Sequence, residues 1–180
     1  VTTIWLTGLP SSGKTTLARE LTARQSARRA VEHLDGDVLR REMFPELGFS
    51  RDDRMENIRR IGDLAVLLAR HDVLVVVSVI APYQQARDAV RAAHRAQGLH
   101  FVEVHVHAPQ TVCAARDVKG LYARAASGAL SGLTGAGDVY EVPSAPDVQV
   151  RTAERGVEEC VLTIEQALAA TERRGKEALV

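Results

Sequence analysis

Gly8-Leu9-Pro10-Ser11-Ser12-Gly13-Lys14-Thr15 fits the pattern G-x-x-x-x-G-K-[ST] at every defined position. An apolar run, Ile4-Trp5-Leu6, leads into it, and a helix-forming stretch leads out. Glycine lets the backbone curl until several N–H groups converge on one anion, and the helix N-terminus adds its partial positive charge. Lys14 is expected to reach the β- and γ-phosphates of a nucleoside triphosphate, and the Thr15 hydroxyl to hold Mg2+. Gly8, Pro10, Ser11, Ser12, Gly13, Lys14, Thr15 and Thr16 are the expected ATP-binding residues. The loop implies ATP as a co-substrate and leaves the phosphoryl acceptor open.

Outward from the loop, strand and helix patterns alternate. Thr3 to Thr7 reads as a strand and Thr15 to about Arg28 as a helix. Val31 to Leu34 reads as a short strand ending in Asp35-Gly36-Asp37. Asp52 to Arg70 is helical: Ile58, Ile61, Ala65 and Leu68 recur at three- and four-residue steps, as a core-facing stripe must. Leu74 to Val79 is almost continuously apolar, the mark of a strand covered on both faces. Gln84 to Gln97 reads as an amphipathic helix, Phe101 to Val106 as a strand, Val148 to Val150 as a weak last strand, and Val157 to about Arg173 as a closing helix. The expected fold is α/β: a three-layer phosphate-loop kinase type, with a mostly parallel sheet of about five strands and helices on both faces. Ligands then sit at the carboxyl ends of the strands.

From Lys119 to Pro146 the rhythm breaks into a stretch rich in Gly, Ala and Ser. Loops this long inside a compact domain are commonly lids. An enzyme that transfers a phosphoryl group must shield it from water, so residues 119 to 146 are expected to form a lid on a single domain spanning 1–180.

Composition excludes several classes. Lys plus Arg (23) equals Asp plus Glu (23), so nothing draws the chain generally to nucleic acid or a membrane surface. No apolar stretch reaches the length of a membrane span, and the N-terminus carries no export-type pattern. Cys113 and Cys160 form neither a metal-type pair nor a disulfide framework and are expected to pack inside helices. A cytoplasmic protein with reduced thiols is the expectation. His105 and His107 share one strand face, but no third metal ligand lies near them in sequence.

Acceptor chemistry comes from the other segments. An alcohol acceptor needs a carboxylate to orient it and take its proton. Asp37, after the second strand, should face the crevice, while capping the next helix needs only one aspartate. The buried strand carries Ser78 where many phosphate-loop enzymes carry a metal-binding aspartate, and a carboxylate from the second strand would fill that place. Arg54 and Asn57, three residues apart, share a helical face.

Five segments in this order resemble the adenylylsulfate kinase family. They are the phosphate loop; Leu34-Asp35-Gly36-Asp37 with Arg40; Gly48-Phe49-Ser50-Arg51-Asp52-Asp53-Arg54 with Glu56-Asn57-Ile58-Arg59-Arg60-Ile61-Gly62; Ile80-Ala81-Pro82-Tyr83; and Arg116-Asp117-Val118-Lys119-Gly120-Leu121-Tyr122. The resemblance runs from about Thr3 to about Leu168. It implies transfer of the ATP γ-phosphoryl group to the 3′-hydroxyl of adenosine 5′-phosphosulfate, with Mg2+, in a homodimer. It implies Asp37, Lys14 and Lys119 as catalytic residues, Arg116 beside the ATP, and Asp35 assisting Mg2+ through water. Asp35, Asp37, Arg40, Phe49, Arg54, Asn57, Ile80, Ala81, Lys119 and Leu133 would bind the acceptor.

Two departures stand out. The family's lid motif G-F-T-G reads Gly132-Leu133-Thr134-Gly135, so leucine replaces the ring expected against adenine. Base–aromatic stacking is worth ~1–3 kcal/mol, and the loss here is expected to be about 1 kcal/mol. Restoring phenylalanine at Leu133 is expected to tighten acceptor binding. Ala81 stands where the family has a serine. The alternative these departures suggest is a 3′-hydroxyl kinase for a different 5′-modified nucleotide.

Overall fold

A computed structural model gives the architecture and describes residues 1–129, 133–134 and 137–177. β1 (Thr2–Thr7) feeds the phosphate loop and α1 (Lys14–Ser26). β2 (Val31–Asp35) runs directly into α2 (Gly36–Glu42), then α3 (Arg51–Ala69), β3 (Leu74–Ser78), α4 (Gln84–Ala96) and β4 (His100–His107). Next come α5 (Gln110–Arg116), α6 (Leu121–Ala126) and the two-residue strands β5 (Leu133–Thr134) and β6 (Gly137–Asp138). β7 (Val148–Arg151) and α7 (Val157–Glu177) complete the described chain.

The main sheet has the order β2-β3-β1-β4-β7 and every pairing in it is parallel. Period-two alternation divides its side chains between two cores. Ile4, Leu6, Leu74, Val76, Val102, Val104 and Val106 face α1 and α7, packing on Leu17, Leu21, Val161 and Ile164. Trp5, Val75 and Val77 face α3 and α4, packing on Ile58, Ile61, Ala65 and Val90. β1 and β3 are buried along their whole length, which is why they read as unbroken apolar runs. β7, at the sheet edge, alternates buried and exposed, which is why its signal was weak.

Three local features differ from the sequence expectation. The α1 helix starts one residue earlier, at Lys14, because Gly13 takes φ 101° and turns the chain straight from loop to helix. Ser50 caps α3 in a full capping box: its hydroxyl accepts from the Asp53 amide at 3.1 Å, and Asp53 Oδ2 accepts from the Ser50 amide at 3.3 Å. The stretch 119–146 is not one loop, for it carries α6, β5 and β6, and residues 140–141 are fastened to the body. Pro82 O accepts from the Glu141 amide (2.8 Å), Glu141 Oε2 accepts from the Gln84 amide (2.6 Å), and the Tyr140 hydroxyl meets Thr7 Oγ1 at 3.1 Å. Residues 130–132 and 135–136, which include Gly132 and Gly135 of the expected lid motif, lie outside the described residues.

β4 puts polar groups into the α4 side of the sheet. Glu103 and His105 are buried there, and the His105 ring stacks on Tyr140 with centroids 6.2 Å apart. Burial, then the neighbouring His107 and Arg87, push the His105 pKa down to about 4. An unfolded histidine titrates near 6.5. Stability from keeping His105 neutral is therefore full above that value and is lost as pH falls from about 6.5 through about 4. The His105→Gln variant should show a shallower fall in Tm across this window than the parent. Parallel melting curves would place the acid sensitivity elsewhere.

Candidate active site

Loop geometry is set by contacts that tolerate no side chain at Gly8: a Cβ there would lie 2.4 Å from the Val106 carbonyl oxygen. The Lys14 ammonium folds back over the loop, donating to Gly8 O (2.9 Å) and Leu9 O (2.6 Å). Burial lowers its pKa to about 8, with Asp37 pulling the other way. At neutral pH it remains a cation in the throat of an anion-binding loop.

The two aspartates of Asp35-Gly36-Asp37 do different work. Asp35 Oδ1 caps α2, accepting from the amides of Asp37 (3.0 Å) and Val38 (3.3 Å). Its Oδ2 accepts from the Thr15 hydroxyl at 2.9 Å and the Ser78 hydroxyl at 3.1 Å. Since the single Ser78 proton goes to Asp35, His33 Nε2, 2.9 Å away, must carry the proton of its own bond to Ser78. Burial alone would raise the Asp35 pKa, but these four hydrogen bonds outweigh it and hold the carboxyl below its ordinary value. Asp37 takes no cap role. Its exposed carboxylate pairs with the ammonium of Lys119. Two residues before that lysine, Asp117 accepts from the first-turn amides of α6, with its two carboxylate oxygens 3.0 and 2.9 Å from the Tyr122 and Ala123 nitrogens.

Arg40 and Arg54 converge on Phe49, their guanidinium carbons 4.9 and 5.8 Å from its ring centroid. Burial, then the nearby Arg54, lowers the pKa of Arg40. Two like charges held together on a half-open ring are a site that favours an anion. Arg54 is 9 % exposed; it donates to Phe49 O (2.9 Å) and Thr134 Oγ1 (2.6 Å), and lies 3.6 Å from Asp138. Asn57 is buried beside it, its Oδ1 unpartnered among the described residues. Phe49 itself is 68 % exposed, which leaves ring surface for a base. Arg51 stacks on Tyr83 instead (4.3 Å), and Arg59 and Arg60 are spent on Glu56, Asp63 and Glu46.

One cleft of about 390 Å³ joins these parts. Pro10, Ser11, Gly13, Lys14, Thr15, Thr16, Asp37, Arg40, Phe49, Arg54, Asn57, Ile80, Ala81, Arg116 and Lys119 all line it. Gly8, Ser12 and Asp35 are not among the residues that line it. Leu133 does not line it. It is 7 % exposed and packs with Ala108, Cys113 and Tyr122 in a small cluster under α5 and α6. The lid motif predicts Leu133 over the base; its neighbours in this structure are apolar core groups. Leu133→Phe should overfill that cluster and cost about 1–3 kcal/mol of stability, leaving acceptor KM near the parent value. A tenfold drop in acceptor KM with an unchanged Tm would restore the stacking account.

Sequence reasoning missed the end of β7. Thr152 donates to Ser12 O (2.7 Å) and accepts from Arg116 (3.0 Å), so the phosphate loop leans on it; Arg155 and Val157 line the cleft alongside. The usable signal was topological, since residues after a parallel strand face the crevice. Cys113 and Cys160 are free and buried, as helix-packing residues should be.

A phosphate loop, a cleft at the carboxyl ends of a parallel sheet, an exposed lysine-paired carboxylate and a paired guanidinium site define a phosphate-loop kinase. The family model described as adenylylsulphate kinase matches residues 1–151. The adenylyl-sulfate kinase of Synechococcus sp. (strain JA-3-3Ab) is 47 % identical over 167 residues, covering 92 % of this chain and 93 % of that protein. The adenylyl-sulfate kinase of Chloroflexus aurantiacus is 50 % identical over 171 residues, covering 94 % and 88 %. The solved structure of the Mycobacterium tuberculosis APS kinase CysC in complex with AMPPNP and APS has a TM-score of 0.90 at 36 % identity, covering 93 % of this chain and 97 % of that one. A gluconokinase from Sinorhizobium meliloti (TM-score 0.59, 24 % identity) shares the fold alone. The chain belongs to the adenylylsulfate kinase family.

Proposed function

We propose that the cleft holds ATP and adenosine 5′-phosphosulfate end to end, with Asp37 between them. As a member of its family the enzyme transfers the ATP γ-phosphoryl group to the 3′-hydroxyl of adenosine 5′-phosphosulfate. The observation that carries the division of labour is the asymmetry of the two aspartates. Asp35 is consumed by four hydrogen bonds, whereas among the described residues Asp37 pairs with Lys119 alone. Asp37 takes the proton of the ribose alcohol as the oxygen attacks. Lys14 and Lys119 neutralise charge on the transferring group, which is most of what phosphoryl transfer asks of a protein. Arg40, Arg54 and Asn57 bind the phosphosulfate, Phe49 takes the acceptor base, and Arg116 flanks the ATP.

Mg2+ fits the donors present. The Thr15 hydroxyl gives its proton to Asp35, so its oxygen is free to ligate. Among the described residues no three His, Cys, Asp or Glu groups gather into a metal cage, which suits a cation bound mainly through nucleotide phosphates. Held at the Thr15 hydroxyl, Mg2+ would supply positive charge against the nucleotide phosphates.

The test is ADP release from Mg-ATP with and without adenosine 5′-phosphosulfate. Acceptor-dependent release and the 3′-phosphorylated product are expected; ATP hydrolysis independent of the acceptor would overturn the reading. We further propose a homodimer, checked by light scattering, and a cytoplasmic location. Among the described residues no helix is long and apolar enough to cross a membrane.

A further inference from the structure

Arg87, on α4, lines no part of the cleft, yet its buried guanidinium meets four acceptors. Its side chain is fully buried. It donates from Nη1 to the Ala81 carbonyl at 2.6 Å, and from Nη2 to the Glu141 carbonyl and to Gln84 Oε1, both at 2.7 Å. Its Nε lies 2.9 Å from Glu103 Oε1, an acid that is itself 2 % exposed. The bonded groups belong to separate pieces of chain: the cleft wall at Ile80-Ala81-Pro82, the first turn of α4, and the segment that follows β6.

Ala81 shows why such a clamp is needed. Its φ is +44°, a left-handed conformation that non-glycine residues rarely hold, and it precedes Pro82, which further disfavours helical backbone at that position. Such a residue persists only where its surroundings over-determine it. Ala81 is 1 % exposed and lines the cleft, and its carbonyl is held by Arg87. The other side of the clamp is equally specific. Pro82 O accepts from the Glu141 amide, and three residues before Glu141 the Asp138 carboxylate stands beside Arg54 and Tyr83.

We infer that Arg87 is a positioning residue for the acceptor. It fixes the strained Ala81 peptide against the acceptor's sugar and locks the root of the 119–146 segment to that same wall. The inference rests on the reading that the acceptor occupies the cleft end lined by Arg54, Ile80 and Ala81.

Two variants test it. Arg87→Lys keeps a positive charge against Glu103, but one ammonium cannot span the planar spread of acceptors. Arg87→Met/Glu103→Gln removes both charges, so no buried ion is stranded. For each folded variant, acceptor KM should rise about tenfold or more, since an ångström of misplacement is costly in a transfer reaction. ATP affinity, measured without acceptor, should stay within about twofold, because the phosphate loop and the β7 end are untouched. Equal losses for both substrates would mark Arg87 as merely structural and overturn the inference, as would an unchanged acceptor KM. A parent protein with no acceptor-dependent turnover would instead defeat the functional reading, and this inference with it.

Discussion

Asp37→Asn is expected to lower kcat by about 10²–10⁴ while leaving ATP affinity nearly unchanged. Asparagine keeps the shape of the side chain and its place beside Lys119, but cannot accept the proton of an attacking alcohol. The nucleotide side should notice little. Lys14 is anchored by the carbonyls of Gly8 and Leu9, and Arg116 by Thr152. The measurement is kcat with saturating substrates beside direct ATP binding. A kcat within tenfold of the parent would move proton acceptance elsewhere. Asp35 is a poor alternative, since hydrogen bonds already favour its ionised form and fill its lone pairs.

Arg54→Met should raise acceptor KM roughly thirtyfold to a thousandfold, equivalent to about 2–4 kcal/mol. The side chain is buried, it shares Phe49 with Arg40, and methionine fills its volume without its charge. Arg51→Met is the matched control, because that guanidinium stacks on Tyr83. Its effect should stay within a few-fold. If the two variants behaved alike, the anion would not be read by the Arg40–Arg54 pair.

Much of this was legible in the chain because its physics is local. The run Leu74 to Ser78 could only be a strand covered on both faces, and the loop from Gly8 to Thr15 allows one backbone shape. Arg54 and Asn57 were readable as a pair since helical spacing puts them together, and both line the cleft. The rest was illegible for nameable reasons. Thr152 is 140 residues from Ser12, and no local pattern announces that a threonine after an edge strand will prop a loop at the other end of the chain. Helices α5 and α6 span only two turns, too few for apolar periodicity to stand out. Leu133 was read through its motif as a ligand contact; only packing reveals that it fills a hole between Cys113 and Tyr122. The serine of the Gly48-Phe49-Ser50 block belongs to the family resemblance without an assigned role, and it starts a helix.

Asp35 ties together the first turn of α1, the start of α2 and the end of β3 with one carboxylate. Architecture and chemistry are thereby entangled in a single codon. An apolar replacement there would unravel a helix start and release the Thr15 and Ser78 hydroxyls in the same stroke, so the two penalties cannot be traded against each other. Laboratory evolution toward heat resistance or toward faster turnover should find that position frozen, and improvements will have to accumulate at sites that serve one master only.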